Sequence, residues 1–264
     1  MTKAIFLDVD GTLLSFETHR MSASTAEALT KVHQSGVKLI IATGRAYSDL
    51  SEIEQLPYDA VVALNGANCM MRSGVEVSRL QIGLDDFNKS RQLARQYDFA
   101  MAVETNRGIM VDRLTPDIVD TMRLVNHPVP PVGDIEKEFV DGRCCQLCFF
   151  CDKETEAEVM RQLPGLCASR WHPAFADVNV ATANKGQGVR AFAKYYGIAL
   201  SETMAFGDGG NDIPMLRVAG VGVAMGNASD IVKREADYVT LTVDNDGVRS
   251  ALEHFGLIDE TTPT

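Results

Sequence analysis

The chain has 264 residues, 45% hydrophobic and 23% charged, with a formal charge of −11. Such proportions belong to a globular chain with room for one large core or two modest ones, and they exclude a disordered or fibrous one. An acidic surface repels nucleic acid and anionic lipid, so neither is an expected partner, and an anion site must be built locally from cations, backbone N–H groups or a metal. In chain order, residues 4–7 form an apolar run that stops abruptly at Asp8. Ala28, Leu29 and Val32 recur at helical spacing within residues 24–34, with Ser22 or Ser24 as the cap and Gly36 as the stop. Residues 37–42 are a second apolar run, closed by Thr43-Gly44-Arg45, and residues 59–64 a third, closed by Asn65-Gly66.

Residues 84–184 have a different texture. Alternating segments at 99–104 and 108–111 lead to a turn at Pro128, Pro130 and Pro131, then to strand-like 145–150, helical 154–162 and strand-like 175–180. The opening grammar then returns. Helices are expected at 186–196, 213–219, 230–235 and 247–255, and strands at 203–206, 222–225 and 238–241, before an unstructured tail at 259–264. Unbroken apolar strands alternating with helices predict an α/β fold, a Rossmann-like doubly wound parallel sheet covered on both faces. The expected organisation is a core of residues 1–83 and 185–264, with an inserted α+β cap domain at 84–184.

No apolar run is long enough to span a bilayer, and the N-terminal stretch, with three charged residues among its first ten and no small-residue cleavage site, does not read as a signal peptide. Cys69, Cys144, Cys145, Cys148, Cys151 and Cys167 sit mostly inside apolar segments. Cys148 and Cys151 face opposite sides of an extended strand and lack a second ligand pair, so these thiols read as small core hydrophobes in a reducing cytoplasm. Met70, Met71 and Met101 likewise read as packing.

In a parallel sheet, polar groups just past the C-terminal strand ends line the ligand crevice. Asp8, Asp10, Asp208 and Asp212 converge there in this reading, and four close carboxylates call for a cation; an all-oxygen set points to magnesium. Thr43, backbone N–H groups and Lys185 supply what a transferring phosphoryl group needs, while Gly11 and Gly44 let the backbone approach it. Asp8 stands at the strand end, placed to attack phosphorus. Asp10, two residues on and on the same side, can protonate the leaving alcohol and later deprotonate water. Arg45 and Asn65 are expected substrate contacts, and Asp212 doubles as the N-cap of the helix that follows it. Arg170 beside Trp171 suits a sugar phosphate, cation to oxygen and ring to apolar face. His172 is assigned no role.

Asp8-Val9-Asp10-Gly11-Thr12, Thr43-Gly44-Arg45, Lys185-Gly186 and Gly207-Asp208-Gly209-Gly210-Asn211-Asp212 resemble the four motifs of the haloacid dehalogenase superfamily of phosphohydrolases. The insertion after Asn65-Gly66 and the segment 170–177 are similar to Cof-type members with a large α/β cap, bacterial sugar-phosphate phosphatases among them. The resemblance implies Asp8 as nucleophile, Asp10 as acid–base residue, and Thr43 and Lys185 as phosphoryl ligands. It also implies magnesium on Asp8, the Asp10 carbonyl and Asp208, with Asp212 as a ligand or next to one. The expected activity is magnesium-dependent hydrolysis of a small phosphorylated metabolite by a cytoplasmic monomer. Alternatives are a phosphomutase, a nucleotide or cofactor phosphatase, and a non-enzymatic phospho-aspartate switch.

Overall fold

The computed structural model describes residues 1–105, 108–124 and 128–259, with their side chains apart from that of Trp171. Most of the expected tail and the side chain of Trp171 therefore lie outside the described residues.

The first stretch of chain forms β1 (Ala4–Leu7), α1 (Ala23–Gln34), β2 (Lys38–Ala42), β3 (Ala60–Ala63), β4 (Asn68–Met71) and β5 (Glu76–Arg79). The middle forms α2 (Leu84–Gln96), β6 (Ala100–Thr105), β7 (Gly108–Val111), α3 (Pro116–Leu124), α4 (Ile135–Gly142), β8 (Gln146–Phe150), α5 (Lys153–Met160), β9 (Leu166–His172) and β10 (Phe175–Val180). The last stretch forms α6 (Lys185–Tyr196), β11 (Thr203–Gly207), α7 (Ile213–Val218), β12 (Val221–Ala224), α8 (Asp230–Lys233), β13 (Tyr238–Val239) and α9 (Gly247–His254). Two compact units result. One comprises Met1–Arg45, Asp49–Ser78 and Asn184–Thr264, the other Ala46–Ser48 and Arg79–Ala183.

The first unit is built on an eight-stranded sheet in the order β13-β12-β11-β1-β2-β3-β4-β5, parallel from β13 to β3, with β4 antiparallel to β3. Phe6, Ile40, Val62 and Ala205 pack with Val189 and Phe192 of α6 and Met215 and Leu216 of α7. The alternate residues Ile5, Leu7, Leu39, Ile41, Val61 and Phe206 point to the opposite face and are equally buried. Each such side chain contributes about 1.5–3 kcal/mol, so both faces favour an apolar residue at every strand position. That is why these strands read as unbroken runs. The chain runs outward from β1 to β2 and β3 and later returns on the other side as β11, so the order reverses at β1 and a crevice opens at its C-terminal end. Asp8 stands there.

Ser22, rather than Ser24, caps α1: its hydroxyl accepts from the Thr25 N–H at 3.0 Å, whereas the Ser24 hydroxyl accepts from Arg249 at 3.2 Å.

The second unit carries an antiparallel sheet in the order β7-β6-β8-β10-β9. Met101, Val103, Leu147, Phe149 and Val178 on one face pack against Phe87, Leu93, Phe139 and Val159 from α2, α4 and α5. Ala102, Cys148 and Phe175 on the other meet Ile118 and Met122 of α3. All six cysteines are free, and Cys148 on β8 and Cys151 just past its end pack into different clusters. Burial pushes the Cys148 thiol well above its ordinary value. No helix among the described residues is long and apolar enough to cross a membrane.

Candidate active site

Three neighbouring strands deliver the site. β1 leads directly into Asp8, β2 into Thr43 and β11 into Asp208, while the first turn of α6 brings Lys185 to the same place. Asn184 caps that helix, its side-chain oxygen accepting from the Gln187 N–H at 3.1 Å. Lys185 is fully buried, a position a lysine occupies only when its charge is matched. Its ammonium donates to Asp8 Oδ1 at 2.5 Å and to Asp212 Oδ1 at 2.6 Å. The other oxygen of Asp212 accepts from the backbone N–H groups of Asp208 (2.9 Å) and Gly209 (2.8 Å).

That geometry corrects one expectation. Asp212 makes no side-chain cap to α7. Both its oxygens are turned back to Lys185 and to the loop before it, which stiffens the Asp208 turn and fixes the lysine.

Asp8, Asp208 and Asp212 each present an oxygen within 4.8 Å of the others. Lys185 stays charged because Asp212 and Asp8 outweigh the burial that would otherwise lower it. One ammonium cannot neutralise three carboxylates, however. Burial foremost, then Asp212, holds Asp8 well above the usual carboxylate range, with Lys185 opposing. Burial and Asp212 likewise push Asp208 up to about 7. With all three ionised, three carboxylates against one ammonium would leave two negative charges, which a divalent cation would neutralise. An all-oxygen donor set suits a hard cation such as magnesium. The residues present fit that ion.

The second charged group is Asp10 with Arg45. The guanidinium grips the carboxylate in a fork, Nε to Oδ2 at 2.9 Å and Nη2 to Oδ1 at 2.7 Å. Nη1 reaches Glu52 at 3.3 Å and the Asp49 carbonyl at 3.4 Å. The Arg45 side chain is 11% exposed and that of Asp10 41%. Arg45, expected as a substrate contact, thus spends its donors on the acid–base candidate and its neighbours.

Thr43 is buried, and its loop is tied to the next one: its N–H donates to Val62 O at 2.8 Å, and its carbonyl accepts from the Asn65 N–H at 2.9 Å. Asn65 has a positive φ of 53°. Its side-chain oxygen accepts from Asn211 at 3.0 Å, while its buried Nδ2 has no partner. Gly11, at φ +85°, lies directly beneath Asp208, where a Cβ would stand 2.3 Å from the carboxylate. Only glycine fits there.

Arg170 belongs to the second unit. Its Nε meets Glu156 at 2.5 Å, and its terminal nitrogens meet the carbonyls of His172 (3.3 Å), Pro173 (2.6 Å) and Cys151 (2.9 Å). These partners occupy four of its five N–H donors.

Sequence reasoning passed over Thr12, Asn211 and Asn227. Thr12 and Asn227 both donate to Asp208, at 3.4 and 3.3 Å, and Asn211 holds Asn65. Asn211 lay in plain view within the Gly207–Asp212 motif. Asn227 had a weaker signal, a Gly-Asn pair just past an apolar run.

The haloacid dehalogenase-like hydrolase family matches residues 5–252 of the chain. The solved structure of a phosphatase of the haloalkanoate enzyme superfamily from Bacteroides thetaiotaomicron superposes with a TM-score of 0.93 at 58% identity, covering 98% of this chain and 96% of that one. A subclass IIB sugar phosphatase of the same superfamily superposes at 0.89 with 37% identity, over 97% and 100% of the two chains. Among sequence relatives, the 5-amino-6-(5-phospho-D-ribitylamino)uracil phosphatase YcsE of Bacillus subtilis is 29% identical over 97% of this chain and 96% of its own. With the motifs in place on the expected strand ends, the chain belongs to the haloacid dehalogenase-like hydrolases and is a phosphatase of their Cof type.

Proposed function

We propose that this phosphatase hydrolyses phosphate monoesters of small metabolites, sugar phosphates foremost, through a phospho-aspartate on Asp8 and with magnesium bound. The observation that carries the reading is the buried Asp8–Lys185–Asp212 cluster beside Asp208, which combines a nucleophile, a phosphate-binding cation and a divalent-metal site at one strand end. Asp8, the Asp10 carbonyl and Asp208 are the proposed ligands; Asp212, with both oxygens engaged, stands behind them. Bound magnesium would neutralise charge between the carboxylates and the incoming phosphate.

In the first step a carboxylate oxygen of Asp8 bonds to phosphorus, the ester P–O bond breaks, and the leaving oxygen takes a proton from the Asp10 carboxylic acid. In the second, Asp10 accepts a proton from water, whose oxygen bonds to phosphorus as the acyl-phosphate bond breaks, releasing inorganic phosphate and restoring Asp8. Lys185, Thr43, the Gly44 and Arg45 backbone and the partnerless Nδ2 of Asn65 are the proposed contacts to the phosphoryl oxygens. Asp10 can act only when its fork with Arg45 opens.

The sugar assignment rests on the likeness to the subclass IIB sugar phosphatase. The 5-phosphoribitylamino compound named for the Bacillus relative is also a phosphorylated polyol. Substrate choice is placed in the second unit, whose sheet carries Glu104 and Gln146 paired at 2.7 Å and, on β10, Asp177 and Asn179, polar groups suited to hydroxyls. Phosphate release from a panel of sugar, nucleotide and cofactor phosphates, with magnesium and with chelator, tests the proposal. Magnesium-dependent release led by sugar phosphates is expected; release that ignores chelation would remove the metal, and a preference for nucleotides would remove the sugar.

A further inference from the structure

Asn227 is an exposed side chain with unusually complete hydrogen bonding. It follows β12 by three residues, between the buried Met225 and Ala228. The backbone there is clamped: the Met225 N–H donates to Gly207 O at 3.0 Å and the Gly226 N–H to Leu241 O at 2.9 Å. Gly226 is pressed so closely on the next segment that a Cβ would lie 2.7 Å from Leu241 C and Thr242 N. The Asn227 side chain therefore leaves a backbone that has little freedom to shift.

Its carboxamide then joins three loops. Nδ2 donates to the Gly11 carbonyl at 2.8 Å and to Asp208 Oδ2 at 3.3 Å, and Oδ1 accepts from the Val243 N–H at 2.9 Å. Both N–H donors are used, and the acceptor is spent on backbone. Asp208 is otherwise held on its Oδ1 side by the Thr12 hydroxyl, at 3.4 Å. The two partners lie on opposite oxygens, and Gly11 closes the carboxylate from below. An exposed amide gains little stability from such bonds, since water offers comparable ones. What the arrangement does define is the direction of the Asp208 carboxylate and its distance from the Asp8–Thr12 loop.

We infer that Asn227 is a positioning residue for the acidic site, tying Asp208 to the Gly11 carbonyl so that the Asp208 carboxylate is pre-set for a divalent cation. This rests on the metal reading proposed above. Groups that orient a metal-ligating carboxylate without touching the metal carry about 10–100-fold in metal affinity. Asn227 donates both hydrogens and takes its own support from Val243, which gives it that character.

Calorimetric titration of magnesium into the substrate-free wild type and Asn227→Ala, with thermal unfolding of both in chelator, tests the assignment. Expected are binding by the wild type, about 10–100-fold weaker binding by the variant, and melting temperatures in chelator within about two degrees of each other. Equal affinities would overturn the positioning role and leave the metal reading standing. No binding by the wild type would overturn both. A variant that melts far lower in chelator would make Asn227 a structural tie between loops and overturn the inference too. Asn227→Ser, which keeps one short donor, is expected to fall between the two in affinity; a serine variant weaker than the alanine one would count against a donated hydrogen bond.

Discussion

At the crevice of the first unit, Lys185 and Arg45 each grip two carboxylates, and they differ in depth. Lys185 sits between Asp8 and Asp212 with no exposure at all, while Arg45 sits between Asp10 and Glu52, whose side chains are 41% and 30% exposed. Out of water a charge triad is a rigid frame: every member needs the others, because any one alone would be a buried uncompensated charge. Near water the same chemistry makes a latch, since solvent can replace either partner at small cost. The proposed nucleophile, Asp8, is in the frame, and the proposed acid–base residue, Asp10, is in the latch. That division matches their proposed work, for Asp8 must hold its position through both half-reactions whereas Asp10 must turn from Arg45 to the substrate and back.

The comparison breaks first at its chemical claim. Asp8→Asn is expected to lower turnover by roughly a thousandfold or more, as loss of a nucleophile does, while circular dichroism and magnesium-free melting show a folded protein. Appreciable activity in that variant would remove Asp8 as nucleophile.

Lys185→Met tests the frame. It leaves Asp8 and Asp212 facing each other in the interior, and urea unfolding in chelator at pH 7.5 should show a loss of about 3–5 kcal/mol. A change below about 1 kcal/mol would mean the triad is not coupled as its geometry indicates. Arg45→Gln tests the latch: the same measurement should show about 1 kcal/mol or less, with a change in turnover larger than the change in stability. Comparable stability losses in the two variants would erase the distinction.

The smallest effect is on the thiols, where burial acts on groups outside both clusters. Burial raises Cys148 well above the ordinary 9.0, and Cys69 and Cys151 to about 11. Unfolded thiols would lose their protons near 9.0 while folded ones keep theirs, so the unfolded chain binds fewer protons there and stability falls as pH rises above about 9. Cys148→Ala should flatten that decline slightly in melts between pH 8.5 and 10. A stability that rises with pH over this range would contradict the assigned direction.

Some helices escaped the sequence reading for an identifiable reason. α2 and α4 are dominated by charged and polar residues; in α2 only Phe87, Ser90, Leu93 and Ala94 are buried, too sparse a stripe to announce itself. Phe87 of α2 stacks on Phe139 of α4 with ring centroids 3.9 Å apart, a contact between positions 52 residues apart that no local pattern records. The core unit was far more legible, because strands buried on both faces write themselves as unbroken apolar runs and their ends as the polar residues that interrupt them.

Taken alone, the order of residues determined which polar side chains stand together at the strand ends. Asp8, Thr43 and Asp208 each interrupt an apolar run and Lys185 opens a helix, and a strand's direction places the residue just past its end at the crevice. Only the tertiary structure decided how those charges pair. That Arg45 grips Asp10, that Asp212 turns from its helix to Lys185 and the Asp208 turn, and that Arg170 is taken up by Glu156 and three carbonyls are outcomes of distance and desolvation. A cation's partner is set by whichever oxygens the fold brings within about 3 Å out of water, and such proximity joins residues as far apart as Asp8 and Lys185.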